Sequence, residues 1–267
     1  MSRTATRRAE LLRRVRAAGE LGFTELAEQL AVSEMTVRRD AHALESDGLL
    51  RRVHGGVIVN PDQGGVDRLF SAGDRDLHLA RTAIAAAGAT LVGEGEAVAL
   101  GAGTAVVELA RVLVGRDDLT VVTSGLAAMT VLAGTAGPHV LATGGLVEPG
   151  RLGLVGDRAE AGYDGVNCDI AFLSVDGIGG IGSAVLTSSS EDEARVAAAA
   201  VRSARRRVVL ADRTTLGRTE LYTVVPLTAV DVLVTDAEPD SPLLEPVRAA
   251  GVEVLVAGGV PASPGAS

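Results

Sequence analysis

The sequence has no lysine, no tryptophan, a single cysteine and no long apolar run. Because Cys168 stands alone, an intrachain disulfide is excluded, and so is a zinc site built on several cysteines. No stretch approaches the roughly 18 consecutive apolar residues of a membrane span. The basic start, MSRTATRRAELLRR, has no apolar run behind it, so it is not typical of a secretory signal. A soluble cytoplasmic protein is therefore the expectation.

Aromatic residues make up 2% of the chain, so any core must be aliphatic, and the 47% of hydrophobic residues suffice to build one. A length of 267 residues suggests one large domain or two modest ones. The net charge of -9 is unevenly spread, since residues 1–54 carry +2 and the remainder carries -11. This asymmetry predicts a small DNA-binding module attached to an acidic body that does not touch DNA.

Three helical patterns follow one another in the first fifty residues. The first covers about residues 4–18, the second starts after Thr24 as an N-cap, and the third runs from a Ser33 cap to about residue 46. Apolar residues of the third helix recur at i, i+4 and i+7 and are predicted to face the core: Val37, Ala41 and Leu44. A helix, a tight turn and a second helix with an exposed N-terminal half form the helix-turn-helix pattern.

Residues 49–59 predict two short strands around Gly55-Gly56, which would form a wing beside the third helix. A surface ion pair between Glu34 and Arg38 is the alternative use of the charged helix face. The wing and the local positive charge favour DNA contact instead. The residues predicted to contact DNA lie on the third helix and the wing: Ser33, Met35, Thr36, Arg38, Arg39, Arg51, Arg52 and His54.

The N-terminal segment resembles a known family. Residues 23–40, FTELAEQLAVSEMTVRRD, together with Leu44-Glu45, Gly48 and residues 52–56, RVHGG, are similar to the DNA-binding domain of DeoR-type bacterial transcriptional regulators. The family usually has Asp-Leu where this chain has Ala41-His42, a departure that we expect to affect packing and not DNA contacts. The resemblance implies binding to a double-stranded DNA operator.

The rest of the chain alternates predicted strands and helices. The strands cover residues 97–100, 119–123, 140–142, 170–175, 207–211, 230–235 and 252–256, and the helices residues 74–89, 105–113, 126–132 and 191–204. Continuous apolar strands separated by helices predict a parallel sheet covered on both faces, an α/β fold. The predicted organisation is a winged helix-turn-helix domain at 1–59, a linker at 60–74, an α/β effector-sensing domain at 75–258 and a disordered tail at 259–267.

Four of the predicted strands end in small or polar residues, where open α/β sheets bind ligands. A Gly-rich loop before a helix offers backbone N–H groups to an anion, which suits a phosphate. The residues predicted to bind an effector on this ground are Gly101, Gly103, Thr104, Thr123, Ser124, Gly144, Gly145, Asp176 and Gly177. The histidines are scattered and Cys168 precedes an apolar strand, so neither a metal site nor a cofactor is predicted.

This half also resembles the DeoR family, in its C-terminal sensor domain. The resemblance rests on residues 101–104, 121–124, 144–145, 154–156, 169–178, 193–195, 210–212 and 234–236. It implies a fold similar to ribose-5-phosphate isomerase and a phosphorylated sugar or related metabolite that weakens DNA binding. The chain departs from the family's Asp-Ser-Gly-Thr-Thr at residues 101–105, from Thr-Asn-Ser at 123–125 and from Asp-x-Ser-Lys at 212–215, where the lysine is missing. Three arginines are candidates to replace it: Arg195, Arg213 and Arg218.

Three functions are consistent with these observations. The first is a transcriptional regulator, a repressor under metabolite control, acting as a homodimer or homotetramer because a two-fold dimer presents two recognition helices to one operator. The second is a constitutive DNA-binding regulator with a degenerate sensor domain, motivated by the missing anion-loop residues. The third is a sugar-phosphate isomerase, by fold analogy alone. The prediction is the first, and not an enzyme.

Overall fold

A computed structural model describes residues 7–8, 10–11, 14–15, 18–46, 50–53, 55–59, 75–133, 137–148, 151–180 and 184–258. The chain divides into two compact units, Met1–Ala72 and Gly73–Ser267. The linker predicted at 60–74 and the tail predicted at 259–267 lie outside the described residues, so the exact domain boundaries stay predictions. Among the described residues, none of the helices combines the length and the apolar character needed to cross a membrane.

The described part of the first unit contains helices and a three-stranded antiparallel sheet. Strand β1 spans Glu20–Gly22, helix α1 Phe23–Leu30, helix α2 Glu34–Ser46, strand β2 Leu50–Val53 and strand β3 Gly56–Val59. Strand β3 lies between β1 and β2, and β2 with β3 form the predicted wing hairpin. Of the predicted first helix, residues 7–8, 10–11, 14–15 and 18 are described, and all are helical.

The two complete helices are joined by a tight turn. Ala31 adopts a left-handed conformation with φ 51°, and its N–H donates to Glu28 O at 3.2 Å, which ends α1. The predicted cap of α2 is confirmed, because the Ser33 hydroxyl accepts from the Thr36 N–H at 3.3 Å. The predicted Thr24 cap of α1 is wrong. The helix begins two residues earlier than predicted, at Phe23, whose N–H donates to Gly55 O in the wing turn.

The core of the first unit is aliphatic apart from Phe23, as the composition requires. Its buried side chains come from all of the elements: Leu11, Val15, Leu21, Phe23, Leu26, Val37, Ala41, Leu44, Leu50 and Val57. The predicted inner face of α2 is therefore confirmed. Asp40 is buried beside it and accepts hydrogen bonds from Arg7 at 2.5 Å and Arg8 at 3.1 Å. Burial alone would raise the pKa of Asp40, but these two hydrogen bonds outweigh it and lower the pKa.

The second unit is organised around a parallel sheet of seven strands. They are β4 (Ala97–Leu100), β5 (Thr120–Thr123), β6 (His139–Ala142), β9 (Cys168–Leu173), β12 (Ala204–Leu210), β14 (Val232–Thr235) and β15 (Glu253–Val256). Their order is β15-β14-β12-β9-β4-β5-β6, and every neighbouring pair is parallel. All seven predicted strands are thus present, with ends shifted by up to three residues.

The helices of this unit are α3 (Arg75–Ala89), α4 (Thr104–Val112), α5 (Leu126–Ala133), α6 (Asp157–Ala161), α7 (Glu191–Arg202) and α8 (Glu245–Ala249). Helix α3 packs against α4 and strands β12, β14 and β15, while α7 packs against β9 and β12. The predicted α/β fold is confirmed by this layering. Two antiparallel parts were not predicted: a hairpin of β7 (Leu146–Glu148) and β8 (Gly153–Val155), and a sheet of β10 (Gly177–Gly179), β11 (Val185–Ser188) and β13 (Tyr222–Pro226).

Candidate functional site

The N-terminal end of α2 presents short polar side chains and one apolar side chain to solvent. The Ser33 and Thr36 hydroxyls lie 2.8 Å apart, so the cap that starts the helix also fixes Thr36. Met35 between them is 67% exposed. All three predicted DNA contacts at this end of the helix are therefore accessible to a ligand.

The two adjacent arginines of α2 have different surroundings. Arg38 donates to Glu34 Oε1 from Nε at 3.0 Å and from Nη2 at 2.6 Å, and its guanidinium carbon lies 4.3 Å from the centre of the Phe23 ring. Arg39 is exposed and has no ion-pair partner in the described part of the chain. Both the ion pair foreseen as an alternative and the exposed basic face are thus present, on neighbouring residues.

The same contrast holds on the wing. Arg52 is bound by Glu45, with Nε 2.6 Å from Oε2 and the backbone N–H 3.0 Å from Oε1. The backbone hydrogen bond is the main reason why the pKa of Glu45 is lowered. Arg51 on the opposite face of β2 is exposed, and among the described residues it has no ionic partner. His54, the eighth predicted DNA contact, lies outside the described residues.

The predicted effector site lies where the order of strands in the parallel sheet reverses. From β4 the chain proceeds through β5 to β6 on one side, whereas β9 and the later strands lie on the other. The carboxyl ends of β4 and β9 therefore flank a topological switch point, the usual ligand crevice of such sheets. Gly103 has φ 124°, and a Cβ there would lie 2.5 Å from Ser174 Cβ. The loop between β4 and α4 consequently requires glycine at this position to pack against the end of β9.

Polar groups at the end of β5 form hydrogen bonds with other groups of the protein. Buried Tyr163 donates to Leu100 O at 2.9 Å and accepts from the Ser124 N–H at 3.1 Å, with the Ser124 hydroxyl 3.2 Å away. Burial raises the pKa of Tyr163 to about 12, so it stays a neutral donor. The Thr123 hydroxyl accepts from the Gly125 N–H at 3.0 Å. Ser124 is thus linked through Tyr163 to the end of β4, whereas Thr123 stabilises the turn after its own strand. The linking tyrosine was not predicted.

The glycines at three further predicted positions allow close packing of backbone. A Cβ on Gly145, where φ is 121°, would lie 2.6 Å from Val155 O, and one on Gly177 would lie 2.6 Å from Arg218 O. Gly101 donates its N–H to Phe172 O at 3.0 Å, within the sheet. Thr104 begins α4 and is half-buried.

An arginine that was not predicted occupies the crevice. Arg151 binds Asp176 in bidentate fashion, at 2.9 and 3.0 Å, and its Nη1 lies 2.9 Å from Glu193 Oε2. Its Nη2 also donates to the Ser189 hydroxyl at 2.5 Å. Glu148 completes this carboxylate-arginine cluster of Glu148, Arg151, Asp176 and Glu193, because its charge acts on both Arg151 and Glu193. Its Oε1 accepts from Ser190 at 2.7 Å. Two carboxylates therefore bind the guanidinium, and a third lies nearby.

The cluster adjoins the loop after β4. A Cβ on Gly153 would lie 3.1 Å from Ala102 Cβ and 3.8 Å from Glu193 Oε1. Gly153 therefore lies directly between Ala102 and Glu193. The structure thus brings together the predicted loop 101–104 and the predicted Asp176, and adds Arg151 and Glu193 to them.

The carboxylates of the cluster differ in proton affinity. Burial raises the pKa of Glu193 to about 7, and the charges of Glu148 and Asp176 add to the effect while Arg151 opposes it. Burial would also raise the pKa of Asp176, but hydrogen bonds from Arg151 and the Ser189 N–H outweigh it and lower the pKa. Near neutral pH, Asp176 is ionised, whereas Glu193 is present in both its protonated and its ionised form.

The arginines considered as replacements for the missing lysine have partners elsewhere. Arg195 lies 3.1 Å from Asp157 and 2.9 Å from Glu160, Arg218 lies 2.8 Å from Glu220, and Arg213 is paired with Asp236. Arg195 therefore stays a prediction as an effector contact. Gly144 packs beside Arg158 on α6. Within the described ranges, no histidine, cysteine, aspartate and glutamate side chains are grouped to hold a metal ion.

Comparison with known proteins identifies both units. A family model described as the DeoR-like helix-turn-helix domain matches residues 7–63, and one described as the DeoR C-terminal sensor domain matches residues 78–237. The chain belongs to the DeoR family. The predicted family is thus confirmed for both units.

Curated relatives of this DeoR-family protein resemble it over nearly their whole length. A putative aga operon transcriptional repressor of Escherichia coli is 29% identical over 96% of this chain and 94% of its own. The regulator GlpR of Haloferax volcanii is 30% identical over 86% and 89%. The transcriptional repressor AccR of Agrobacterium fabrum is 30% identical over 88% and 90%. Ribose 5-phosphate isomerase A of Methanocaldococcus jannaschii is 17% identical, covers 54% of this chain and 55% of its own, and has a TM-score of 0.39, too low to support an argument.

As a member of the DeoR family, the chain is a DNA-binding transcriptional regulator with a sensor domain. Its first unit carries the helix-turn-helix, and its second unit carries the sensor domain of the family. The family consists of regulators and not of enzymes, which confirms the predicted class and sets the isomerase alternative aside.

Proposed function

We propose that this DeoR-family protein is a repressor whose hold on a DNA operator is released by a phosphorylated sugar or related metabolite in the crevice between β4 and β9. Two of its relatives, from Escherichia coli and Agrobacterium fabrum, are named transcriptional repressors. The observation that carries the DNA part of the proposal is the pair of exposed arginines without ionic partners among the described residues, Arg39 on α2 and Arg51 on the wing.

The positive charge of these two arginines is fully available to DNA phosphates. The charges of Arg38 and Arg52 are partly neutralised by Glu34 and Glu45, whereas no carboxylate of the described residues pairs with Arg39 or Arg51. A phosphate contact supplies affinity that falls with salt, and a bidentate contact to guanine supplies discrimination.

The test selects operators from a genomic library with the full chain and measures binding by gel shift. R39A and R51A should each weaken operator binding about ten-fold, and each should reduce the salt dependence by about one released ion. R205A is the matched control, because Arg205 is 81% exposed in the second unit and its loss changes the net charge equally. Unchanged affinity in both R39A and R51A would remove these contacts from the proposal.

The effector part is supported by the start of α4. In the described part of the chain, no acceptor lies within hydrogen-bond distance of the N–H groups of Ala102, Gly103 and Thr104. Three such N–H groups at the N-terminus of a helix suit a phosphate group. Arg151 supplies a cation beside them, which takes the place of the missing family lysine, and the carboxylates of the cluster can accept hydrogen bonds from sugar hydroxyls.

A thermal-shift screen tests the effector proposal. The panel contains pentose 5-phosphates and hexose 6-phosphates, the same sugars without phosphate, and inorganic phosphate. A sugar phosphate present at a hundred times its Kd stabilises the folded chain by about 2.7 kcal/mol. The unphosphorylated sugar should give a smaller shift, and the active compound should release the selected operator in a gel shift.

A constitutive regulator with a degenerate sensor is the second candidate. One observation favours it: the guanidinium of Arg151 is already compensated by Asp176 and Glu193, so a phosphate would compete with two carboxylates for it. A screen in which no sugar phosphate raises the melting temperature or releases DNA would favour this candidate.

Assembly into a homodimer or homotetramer also belongs to the proposal. Helix-turn-helix proteins bind two half-sites about one helical turn apart, and two copies related by a two-fold axis match that spacing. Sedimentation analysis of the full chain with and without selected operator measures the number of copies, and a monomer on DNA would contradict the proposal.

A further inference from the structure

We propose that Glu34 is a positioning residue that determines DNA sequence specificity by holding Arg38 in one orientation. This inference rests on the DNA binding described above and concerns the residue that sets its selectivity. The carboxylate of Glu34 and the guanidinium of Arg38 are both near the middle of the exposure range, 41% and 49%, on the solvent face of α2.

The guanidinium of Arg38 is held on two sides. Glu34 Oε1 accepts from Nε and Nη2 along one edge, and the ring of Phe23 lies against its face at 4.3 Å. Phe23 belongs to the core and is 3% exposed, so it is a fixed platform. The other carboxylate oxygen, Oε2, lies 3.4 Å from the Thr24 hydroxyl, which ties Glu34 to α1.

This arrangement leaves the outer N–H donors of the Arg38 guanidinium free to bind a base. A guanidinium has five N–H donors, and the contacts to Glu34 use Nε–H and one donor of Nη2. The two hydrogens of Nη1 and the second hydrogen of Nη2 point away from the carboxylate. A bidentate contact to guanine O6 and N7 needs two such donors in a plane. Arg38 is therefore prepared for a base edge before DNA arrives.

The charge of Glu34 has a second consequence. A carboxylate at this position repels backbone phosphates, and it neutralises Arg38 toward DNA that offers no suitable base. An operator with a suitably placed guanine gains a hydrogen-bonded contact with the fixed Arg38. DNA without that guanine meets the carboxylate of Glu34 and an arginine whose charge Glu34 neutralises. Glu34 thus lowers affinity for random sequence more than affinity for the operator.

The test compares E34Q and E34A with E28Q in the full chain. Glu28 is exposed on α1, and its replacement changes the net charge of the unit by the same amount. The probes are a duplex enriched by selection with the unaltered protein and a mixed-sequence duplex of equal length. We expect E34A to lower the ratio of the two affinities at least ten-fold, mainly by tighter binding to mixed sequence, and E34Q to lower it less.

A double-mutant cycle shows whether Glu34 acts through Arg38. In an R38A background, E34A should leave the affinity ratio unchanged within about two-fold. Equal ratios for E34A, E34Q and E28Q would overturn the inference, and so would the same effect of E34A with and without Arg38. If E34A lowers the melting temperature, the affinity ratio of E34Q is the deciding measurement, because glutamine keeps the size of the side chain and removes only the charge. A protein that enriches no duplex at all contradicts DNA binding itself and is distinguishable from these results.

Discussion

Replacing Glu193 by glutamine should make the stability of the sensor unit less dependent on pH. An ordinary glutamate titrates near 4.5, whereas burial raises the pKa of Glu193 to about 7. Below pH 4.5 the side chain is protonated in the folded and the unfolded chain. The stability contributed by this protonated form is lost as the pH rises through about 7, because the folded state then bears a buried carboxylate.

The magnitude follows from the difference between the two pKa values, which corresponds to about 3 kcal/mol. The side chain is 15% exposed, so solvent screens part of its charge, and we expect about 2 kcal/mol. Glutamine does not titrate, so E193Q should gain this amount relative to the unaltered protein between pH 5 and pH 8.

Calorimetry at pH 5 and pH 8 measures the effect on the transition of the sensor unit. A gain of about 2 kcal/mol raises its melting temperature by roughly 4–8 °C at pH 8 relative to pH 5. E191Q is the matched control, because Glu191 is exposed on the same helix and should shift both melting temperatures equally. A difference between E193Q and the unaltered protein that is the same at both pH values would refute the reasoning.

Two further substitutions test the crevice. Y163F removes the hydroxyl that joins Leu100 O and the Ser124 N–H, which keep only their mutual hydrogen bond of 3.3 Å, and should cost about 0.5–1.5 kcal/mol in unfolding free energy. Y222F should cost less, and equal costs would contradict the linking role. G103A combines φ 124° with a Cβ placed 2.5 Å from Ser174, so urea unfolding should show a larger loss than for G95A, where φ is 72° and nothing lies within 4 Å. If G103A is no worse than G95A, the close packing is not rigid.

The parallel sheet could be predicted because its central strands are buried on both faces and are therefore nearly continuous apolar runs. Strands such as Cys168–Leu173 and Val232–Thr235 stand out by composition alone. The antiparallel strands could not be predicted, since Gly177–Gly179 and Leu146–Glu148 are three residues long and have no alternating pattern. Their positions depend on partners that are distant in the sequence.

The approximate positions of the two candidate sites could also be predicted from patterns that are local in the sequence. The rule for strand ends located the crevice, but Arg151 was missed because its partner Asp176 lies 25 residues further along the chain. Its position in the sequence directly after Pro149-Gly150, a pair typical of turns, was the available signal. On α2 the helical period predicted which residues are exposed. It could not show that Phe23 holds Arg38 and leaves Arg39 without a partner.

The buried carboxylate of Asp40 fixes the rotation of α2 about its own axis. Successive residues of a helix are about 100° apart, so Asp40 lies on the rear of the helix while Arg38 projects from its front. Hydrogen bonds from Arg7 and Arg8 anchor that rear position. Loss of both bonds would weaken this anchor and would shift every side chain on the exposed face of α2 by the same angle. The orientation of Arg38 and Arg39 thus depends in part on two arginines that lie about thirty residues earlier in the chain.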